Sequence, residues 1–375
     1  MTVRKFGVEE ELMLVDPGTG RLRAVSHRAL AAHRGNVGRQ QPDDFGADAG
    51  LEQELFLQQI ETGTAPCTHV ADLEKDLAAC RRRAAESAAA AGADLVAVGA
   101  PVLADSPQRV TPKPRYERIV QEFGSIGREG GVCGMHVHVD IRGEDEGVVV
   151  LDGLRPWLPV LRALSVNSPF SQGADSGYAS WRSQVWGRWP AAGPAEPFGD
   201  RATYEACADA FVASGAALDR GMLYYDARLS QTYPTVEIRV FDATTEIDDI
   251  GLIAALSRAL VETVAQGSDE VPAWRTDLLR AAHWKASRYG ISDRLVHPLT
   301  QRPAHARAVV QDTVDHVSEA LDSAGDRDRV MDGFERLLAR GSGAARQRAV
   351  AESGGGLDAV MSDLRVRFAA SWQGA

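Results

Sequence analysis

The chain has 375 residues, enough to bury a large core, and 44% of them are hydrophobic and 25% charged, as in a globular protein. The net charge of −11 and the absence of a Lys/Arg-rich stripe argue against a nucleic-acid partner. The four cysteines lack C-x-x-C spacing, which favours reduced thiols in the cytoplasm. No apolar run approaches the roughly 18 residues of a membrane span, and we expect no signal peptide because the first strand begins too early.

The first predicted element is a strand over residues 6–16, in which three consecutive carboxylates follow one another among apolar residues. Side chains alternate between the faces of a strand, so Glu9 and Glu11 share one face about 7 Å apart, whereas Glu10 joins the apolar face. Two carboxylates at this spacing repel each other unless a cation lies near them. We interpret Glu9 and Glu11 as metal ligands; a solvated edge strand is the alternative.

The next stretch with charged residues among apolar ones is residues 51–62, which we interpret as a strand. Glu54 precedes Glu61 by seven residues, so both can face one site only if a bulge or a strand boundary separates them. The neighbouring segments are predicted as a short helix over 26–33, a loop over 34–50, an Ala-rich helix over 69–92, a buried strand over 94–99, a Pro-rich loop over 101–115 and a helix over 115–130.

Two later strands repeat the pattern of the first. In residues 132–141, His136, His138 and Asp140 fall on one face and the aliphatic residues on the other. In residues 235–242, the polar face carries Glu237 and Arg239 and also Phe241. Between these strands and after them we predict a helix over 146–166 bent at its prolines, a long aromatic- and Gly-rich loop over 167–200, and helices over 201–220 and 248–266. Beyond residue 270 we expect only helices and short loops. The helices predicted there are 272–289, 303–323, 326–340 and 357–370.

These three strands present carboxylates, imidazoles and one guanidinium opposite an aliphatic face, which predicts a metal–phosphate site on an antiparallel sheet. Because carboxylates dominate, we expect a hard metal, Mg²⁺ or Mn²⁺. The spacing of His136 and His138 leaves zinc or iron as an alternative. Mg²⁺ with Arg239 suits phosphoryl transfer from ATP, in which the guanidinium stabilises charge on the transferred group.

Seven stretches, in this order, resemble the type 2 glutamate–cysteine ligase family, specifically its bacterial carboxylate–amine ligase branch. They are residues 7–12, 59–61, 111–116, 133–139, 167–170, 177–182 and 236–242. The resemblance implies an α+β fold, with a glutamine-synthetase-like curved antiparallel sheet, helices packed on its convex side and a helical C-terminal region. It implies one catalytic domain over 1–375, with the sheet-forming core in about 1–265 and the helical region in about 270–375.

The resemblance also implies the reaction: ATP phosphorylates a carboxylate, and an amine attacks the acyl phosphate to give an amide. The resemblance implies metal ligands at Glu9, Glu11, Glu61, His136 and Glu237. It implies catalytic roles for Arg239 and Glu54 and nucleotide contacts at His138 and Arg239. It also implies substrate contacts at Arg182, Tyr178 and Gln59. His138 as a hydrogen-bond partner only, and Arg182 and Tyr178 as loop anchors, are alternatives.

The partners implied by the resemblance are a small carboxylate, a small amine and a second copy of the chain in a homodimer. Residues 223–229 and 58–63 depart from the usual pattern of this branch and are expected to border the substrate pocket. Two other functions stay open on sequence alone. One is a metal-dependent hydrolase or oxygenase that uses His136, His138 and Glu237 without ATP; the other is a regulator that binds nucleotide or metal without catalysis.

Overall fold

The computed structural model describes residues 3–37, 50–104, 107–267 and 271–373. The strands within these ranges are β1 Phe6–Val15, β2 Glu52–Gln53, β3 Gln59–Gly63, β4 Asp94–Val96, β5 Gly134–Asp140, β6 Phe170–Ser171, β7 Ala174–Asp175, β8 Ala227–Leu229, β9 Thr235–Asp242, β10 Arg294–Val296 and β11 Pro303–His305. The α-helices are α1 Ser26–Val37, α2 Val70–Ala90, α3 Pro114–Phe123, α4 Ser125–Glu129, α5 Glu144–Leu154, α6 Leu158–Ser165, α7 Arg182–Trp186, α8 Arg201–Ala213, α9 Ile247–Gln266, α10 Thr276–Tyr289, α11 Ala306–His316, α12 Ser318–Ala324, α13 Arg327–Arg340, α14 Gly343–Val350 and α15 Gly356–Gln373.

A seven-stranded sheet forms the centre of the fold. Its strand order is β2-β3-β1-β5-β9-β8, and β4 also pairs with β1. Every pairing in this sheet is antiparallel. The predicted α+β class with a large antiparallel sheet is therefore confirmed.

One face of the sheet is aliphatic and covered by helices. Val8, Leu12 and Leu14 on β1 are buried, and helices α2 and α9 contact β1 from this side. Burying one such side chain stabilises the fold by about 1.5–3 kcal/mol, so a one-residue slip of β1 would be costly. The alternation consequently fixes Glu9 and Glu11 on the opposite, polar face.

A β-bulge interrupts the pairing of β5 with β9. Val137 lies opposite Ile238, whereas Met135 lies opposite Phe241, so two residues of β9 face one of β5 at this point. The extra residue reverses the alternation, and Phe241 joins Met135 in the core. The prediction that Phe241 shares the face of Glu237 is wrong for this reason.

Several predicted boundaries in the N-terminal half need correction. Helix α1 continues to Val37, so residues 34–37 of the predicted loop are helical; residues 38–49 of that loop lie outside the described residues. The predicted strand over 51–62 is two strands, β2 and β3, separated by the boundary that Glu54 and Glu61 require. The predicted helix over 115–130 is broken into α3 and α4 at Gly124, whose φ is 56°.

Similar corrections apply further along the chain. The predicted helix over 146–166 is two helices, because Pro159 occupies the first turn of α6 rather than a helix interior. The predicted loop over 167–200 contains the hairpin β6–β7 and helix α7. Beyond residue 270 the hairpin β10–β11 contradicts the expectation of helices alone, and the predicted helix over 303–323 begins as β11 and is divided into α11 and α12.

The C-terminal helices pack on earlier elements of the chain. Helices α12 and α13 contact α9, and α15 contacts α2 and β4. A single catalytic domain stays a prediction that this packing supports. Among the helices described, none is long and apolar enough to cross a membrane.

Candidate active site

The site is built around β1, and the adjacent strands β5 and β3 supply the residues that lie opposite its glutamates. Glu9 lies opposite His136 of β5, and Glu11 lies opposite Glu61 of β3. Directly opposed residues of an antiparallel pair have side chains on the same face, so acidic and imidazole groups from three strands meet there.

Glu10 lies on the other face, as predicted. It forms a bidentate ion pair with Arg81 of α2, with N–O distances of 3.0 and 2.5 Å, and both side chains are fully buried. The remaining donors of Arg81 bond to the backbone carbonyls of Thr244 and Thr245 and to the hydroxyl of Ser371. Glu10 therefore holds α2 on the sheet and takes no part in the polar face.

Both histidines of β5 approach Glu9. His136 Nδ1 and His138 Nε2 each lie 3.3 Å from Glu9 Oε2. Burial alone would raise the pKa of Glu9, but the hydrogen bonds of the two histidines hold it well below its ordinary value. Burial and the charge of Arg239 lower the pKa of His136, so its imidazole is neutral and can act as a metal ligand.

The surroundings of Glu61 disfavour the charged form of its carboxyl group. Burial, the adjacent carboxylate of Glu54, and Glu9 and Glu11 all raise its pKa well above the ordinary value. Glu54 itself lies in the turn between β2 and β3. A cation in this group would relieve the repulsion between these carboxylates.

Glu237 lies between two guanidinium groups. Arg239 Nη1 donates to Glu237 Oε1, and Arg228 donates from Nε to Oε2 at 2.8 Å and from Nη2 to Oε1 at 3.2 Å. Burial opposes the ionised form of Glu237, yet the two arginines hold its pKa well below the ordinary value. The bulge in β9 places Arg239 at this position, where its Nη1 also lies 3.5 Å from His136 Nδ1.

Two sets of donor atoms are close enough to hold metal ions. In the first set, Glu9, His138 and Glu237 each offer one atom, all within 4.8 Å of one another; in the second, Glu9, Glu61 and His136 do the same. The Nε2 atom of His136 is buried without a hydrogen-bond partner among the described residues, whereas Nε2 of His138 faces Glu9. Buried polar atoms normally have partners, so the His136 atom indicates room for a ligand.

Arg182 lies at the Glu11 end of the site, with its side chain fully buried. Its guanidinium covers the backbone of Gly134, where a Cβ would collide with it, and lies 5.5 Å from the Trp186 ring. Burial lowers its pKa, and Glu11 and Asp242 are the nearby acids that oppose this. Within the described ranges its Nε has no hydrogen-bond partner, so the group is suited to an incoming carboxylate.

The structure places the other two predicted substrate residues differently. Gln59 is buried beside the site, and its amide donates to Val132 O at 2.8 Å and contacts Cys133 Sγ at 3.2 Å. Tyr178 accepts a hydrogen bond from Trp284, and its ring lies against Trp181 and Arg288. These contacts favour structural roles, and substrate binding by either residue stays a prediction.

Sequence reasoning missed Arg228. It lies on β8, directly opposite Glu237. Three residues are too few for a pattern of alternation, but Pro234 and the polar turn before β9 were signals of a hairpin. Tyr224, just before β8, packs its ring 4.7 Å from Trp186 and 5.4 Å from Trp189, so these tryptophans form a packed aromatic cluster.

The chain is similar to a known protein family and to several of its named members. The profile of glutamate–cysteine ligase family 2 matches residues 5–363. A protein of Nocardioides sp. provisionally named glutamate–cysteine ligase 2-1 is 48% identical, over 99% of this chain and 97% of its own length. A provisionally named glutamate–cysteine ligase 2 of Streptomyces coelicolor is 44% identical, over 96% of this chain and 98% of its own length. The resemblance inferred from the motifs is thus confirmed.

Solved structures with a similar fold also exist. The glutamate–cysteine ligase of Francisella tularensis in complex with AMP has a TM-score of 0.69 at 11% identity, covering 100% of this chain and 94% of that one. A bifunctional glutathione synthetase from Pasteurella multocida has a TM-score of 0.66 at 14% identity, covering 99% of this chain and 53% of that one. At these identities the likeness concerns the fold alone.

Proposed function

The chain belongs to glutamate–cysteine ligase family 2 and is an ATP-dependent carbon–nitrogen ligase, and we propose that it forms an amide through an acyl phosphate with Mg²⁺ on the polar face of its sheet. The observation that carries this proposal is the convergence of Glu9, Glu61, His136 and Glu237 with Arg239. Family membership favours this ligase over the hydrolase or oxygenase without ATP.

The donor set fits a hard divalent cation. Carboxylates outnumber imidazoles, and the buried Nε2 atom of His136, which has no hydrogen-bond partner among the described residues, leaves room for a ligand. We propose Glu9, Glu11, Glu61, His136 and Glu237 as the residues that hold Mg²⁺, with Mn²⁺ as a substitute. When bound, the metal would neutralise the charge of the phosphate oxygens.

Each remaining residue has a proposed task set by its surroundings. Arg239 stabilises the charge on the transferred phosphoryl group. Arg182 binds the carboxylate substrate through its guanidinium, whose Nε has no hydrogen-bond partner among the described residues, and Glu54 lies where it can bind an amine. His138 contacts the nucleotide or orients Glu9, 3.3 Å away.

The proposed reaction proceeds in two steps. A carboxylate oxygen of the acid attacks the γ-phosphorus of ATP, the bond to the bridging oxygen breaks, and ADP leaves. The amine nitrogen then attacks the carbonyl carbon of the acyl phosphate, inorganic phosphate leaves, and the nitrogen loses a proton. The water-poor surroundings of Glu237 and His136, whose side chains are 3% and 4% exposed, protect the acyl phosphate from hydrolysis.

Glutamate and cysteine are the first substrates to test because they appear in the names of the relatives. Residues 223–229 and 58–63, which depart from the usual pattern of this branch, lie beside the site. A different acid or amine is therefore the alternative to glutamate and cysteine.

The free cysteines among the described residues and the need for ATP support a cytoplasmic location. A homodimer remains a proposal from the family.

The test is a screen of acids and amines monitored by phosphate release. We expect ADP and phosphate only when both an acid and an amine are supplied, and hydroxylamine should trap the acyl phosphate as a hydroxamate. Glu9→Gln should abolish turnover, whereas Glu352→Gln on the exposed surface should not. ATP consumption by no acid–amine pair, or normal turnover of Glu9→Gln, would refute the proposal.

A further inference from the structure

Arg228 and Glu237 form a fork-to-fork contact across the last strand pair of the sheet. The two residues lie directly opposite each other, and two nitrogens of Arg228 meet the two carboxylate oxygens of Glu237 at 2.8 and 3.2 Å. The side chains are only 14% and 3% exposed. A bidentate contact of this kind fixes the plane of the carboxylate as well as its position.

The hydrogen bonds of Glu237 leave one acceptor position open. A carboxylate has about four lone-pair positions, two on each oxygen. Arg228 uses one on each oxygen and Arg239 uses the second on Oε1. The position that remains is on Oε2, and one oxygen of Glu237 lies within 4.8 Å of donor atoms of Glu9 and His138.

Arg228 is itself held in place and is not free to bind a phosphate. Its Nη1 donates to Gly221 O at 3.0 Å and contacts Leu223 O at 3.4 Å, so each of its nitrogens has a partner. The segment before β8 is fixed by Asp226, whose carboxylate accepts from Arg162 at 2.9 Å. The guanidinium therefore belongs to a rigid support.

We propose that Arg228 is a positioning residue that makes Glu237 a single-oxygen ligand of the metal. This inference rests on the function proposed above, because it concerns the same metal. Without the fork, the single hydrogen bond from Arg239 to Oε1 would be the contact that holds the carboxylate, so Glu237 would be able to turn about it and offer both oxygens. Mg²⁺ requires near-octahedral geometry, whereas Ca²⁺ accepts two-oxygen carboxylates and flexible sites. Arg228 thereby selects Mg²⁺ over Ca²⁺.

The test uses Arg228→Lys, which keeps the positive charge but loses the fork. Mg²⁺ and Ca²⁺ affinities are measured by calorimetric titration of the nucleotide-free protein. We expect the Mg²⁺ affinity and the ATP-dependent turnover to fall about 10- to 100-fold, as for other residues that orient metal ligands, and the Ca²⁺ affinity to change much less. Arg275→Lys, in a bidentate surface pair with Asp277, is the matched control and should behave like the wild type.

A double-mutant cycle shows whether Arg228 acts through Glu237. In a Glu237→Gln background, Arg228→Lys should lower the Mg²⁺ affinity no further. Three results would overturn the proposal. In the first two, Arg228→Lys lowers the Mg²⁺ and Ca²⁺ affinities equally, or it lowers the melting temperature and leaves the ratio of the two affinities unchanged. The third is an additive loss of Mg²⁺ affinity in the double-mutant cycle. If Arg228→Lys loses Mg²⁺ selectivity while no acid–amine pair consumes ATP, the positioning role stands and the proposed reaction fails.

Discussion

Glu11 and Glu61 lie directly opposite each other on β1 and β3, and Glu54 approaches Glu61 from the turn between β2 and β3. Their mutual repulsion adds to the burial of Glu61 and raises its pKa well above the ordinary value. The metal-free site is therefore destabilised, in the way that active sites often are.

Glu61→Gln should keep the stability of the metal-free protein but lose the stabilisation by Mg²⁺. Removing one acid from this cluster relieves the repulsion, so the variant without metal should be at least as stable as the wild type. It should lose most of the stabilisation by Mg²⁺, which for a wild-type site at 100 times its dissociation constant amounts to about 2.7 kcal/mol. Thermal unfolding with and without Mg²⁺ measures both effects. A metal-free variant that unfolds earlier, yet gains as much from Mg²⁺ as the wild type, would contradict this account.

Arg239→Lys should impair the chemical step more than substrate binding. Lysine keeps the charge but cannot reproduce the position of the guanidinium between Glu237 and His136. We expect kcat to fall about 10²- to 10³-fold, as for other groups that stabilise charge in the transition state, with a smaller change in the KM for ATP. Steady-state kinetics at saturating acid and amine give both values. A rise in KM alone would assign Arg239 to ground-state binding.

The polar face of the sheet was predictable because β1, β5 and β9 are long enough for alternation to show. Glu9, His136 and Glu237 were placed correctly since one face of each strand is aliphatic and must be buried. Arg228 was not, because β8 has only three residues. The only mark of the bulge in the sequence is the pair of consecutive apolar residues Val240 and Phe241, which does not by itself show which of the two changes face.

Long-range partners were beyond the sequence for a different reason. The orientation of Glu10 followed from strand parity, but nothing in the Ala-rich helix identified Arg81 as its partner. Such a pairing depends on how α2 docks on the sheet. The hairpin β10–β11 was missed in the same way, because strands of three residues depend on tertiary context.

Arg81→Met should destabilise the fold strongly, because it leaves Glu10 charged and fully buried without a partner. Breaking a buried pair from one side costs about 3–5 kcal/mol in free energy of unfolding. Urea denaturation at neutral pH measures the loss. The double variant Glu10→Leu with Arg81→Met should recover much of it, and a single variant within the error of the wild type would show that the pair is dispensable.

His283 on α10 should make stability depend on pH. Burial lowers its pKa from 6.5 to about 3 despite the nearby charge of Asp226. The unfolded chain binds this proton below pH 6.5 and the folded protein only near pH 3. The free energy of unfolding should therefore decrease as pH falls through that window, by up to about 1.4 kcal/mol per pH unit. Urea denaturation at pH 7 and at pH 5 measures this decrease in the free energy of unfolding. Between these two pH values, His283→Asn should lose less stability than the wild type does. An equal loss in both proteins would assign the pH dependence to other groups.

The most direct test of the central claim follows an oxygen atom. The acid selected by the screen, beginning with glutamate, is labelled with ¹⁸O in its carboxylate and incubated with ATP, Mg²⁺ and the amine. If the groups around Glu9, Glu237 and Arg239 activate a carboxylate as an acyl phosphate, one labelled oxygen must appear in each inorganic phosphate, as detected by mass spectrometry. Phosphate formed without the label would contradict the account, because the γ-phosphoryl group would then have been transferred to water and not to the acid.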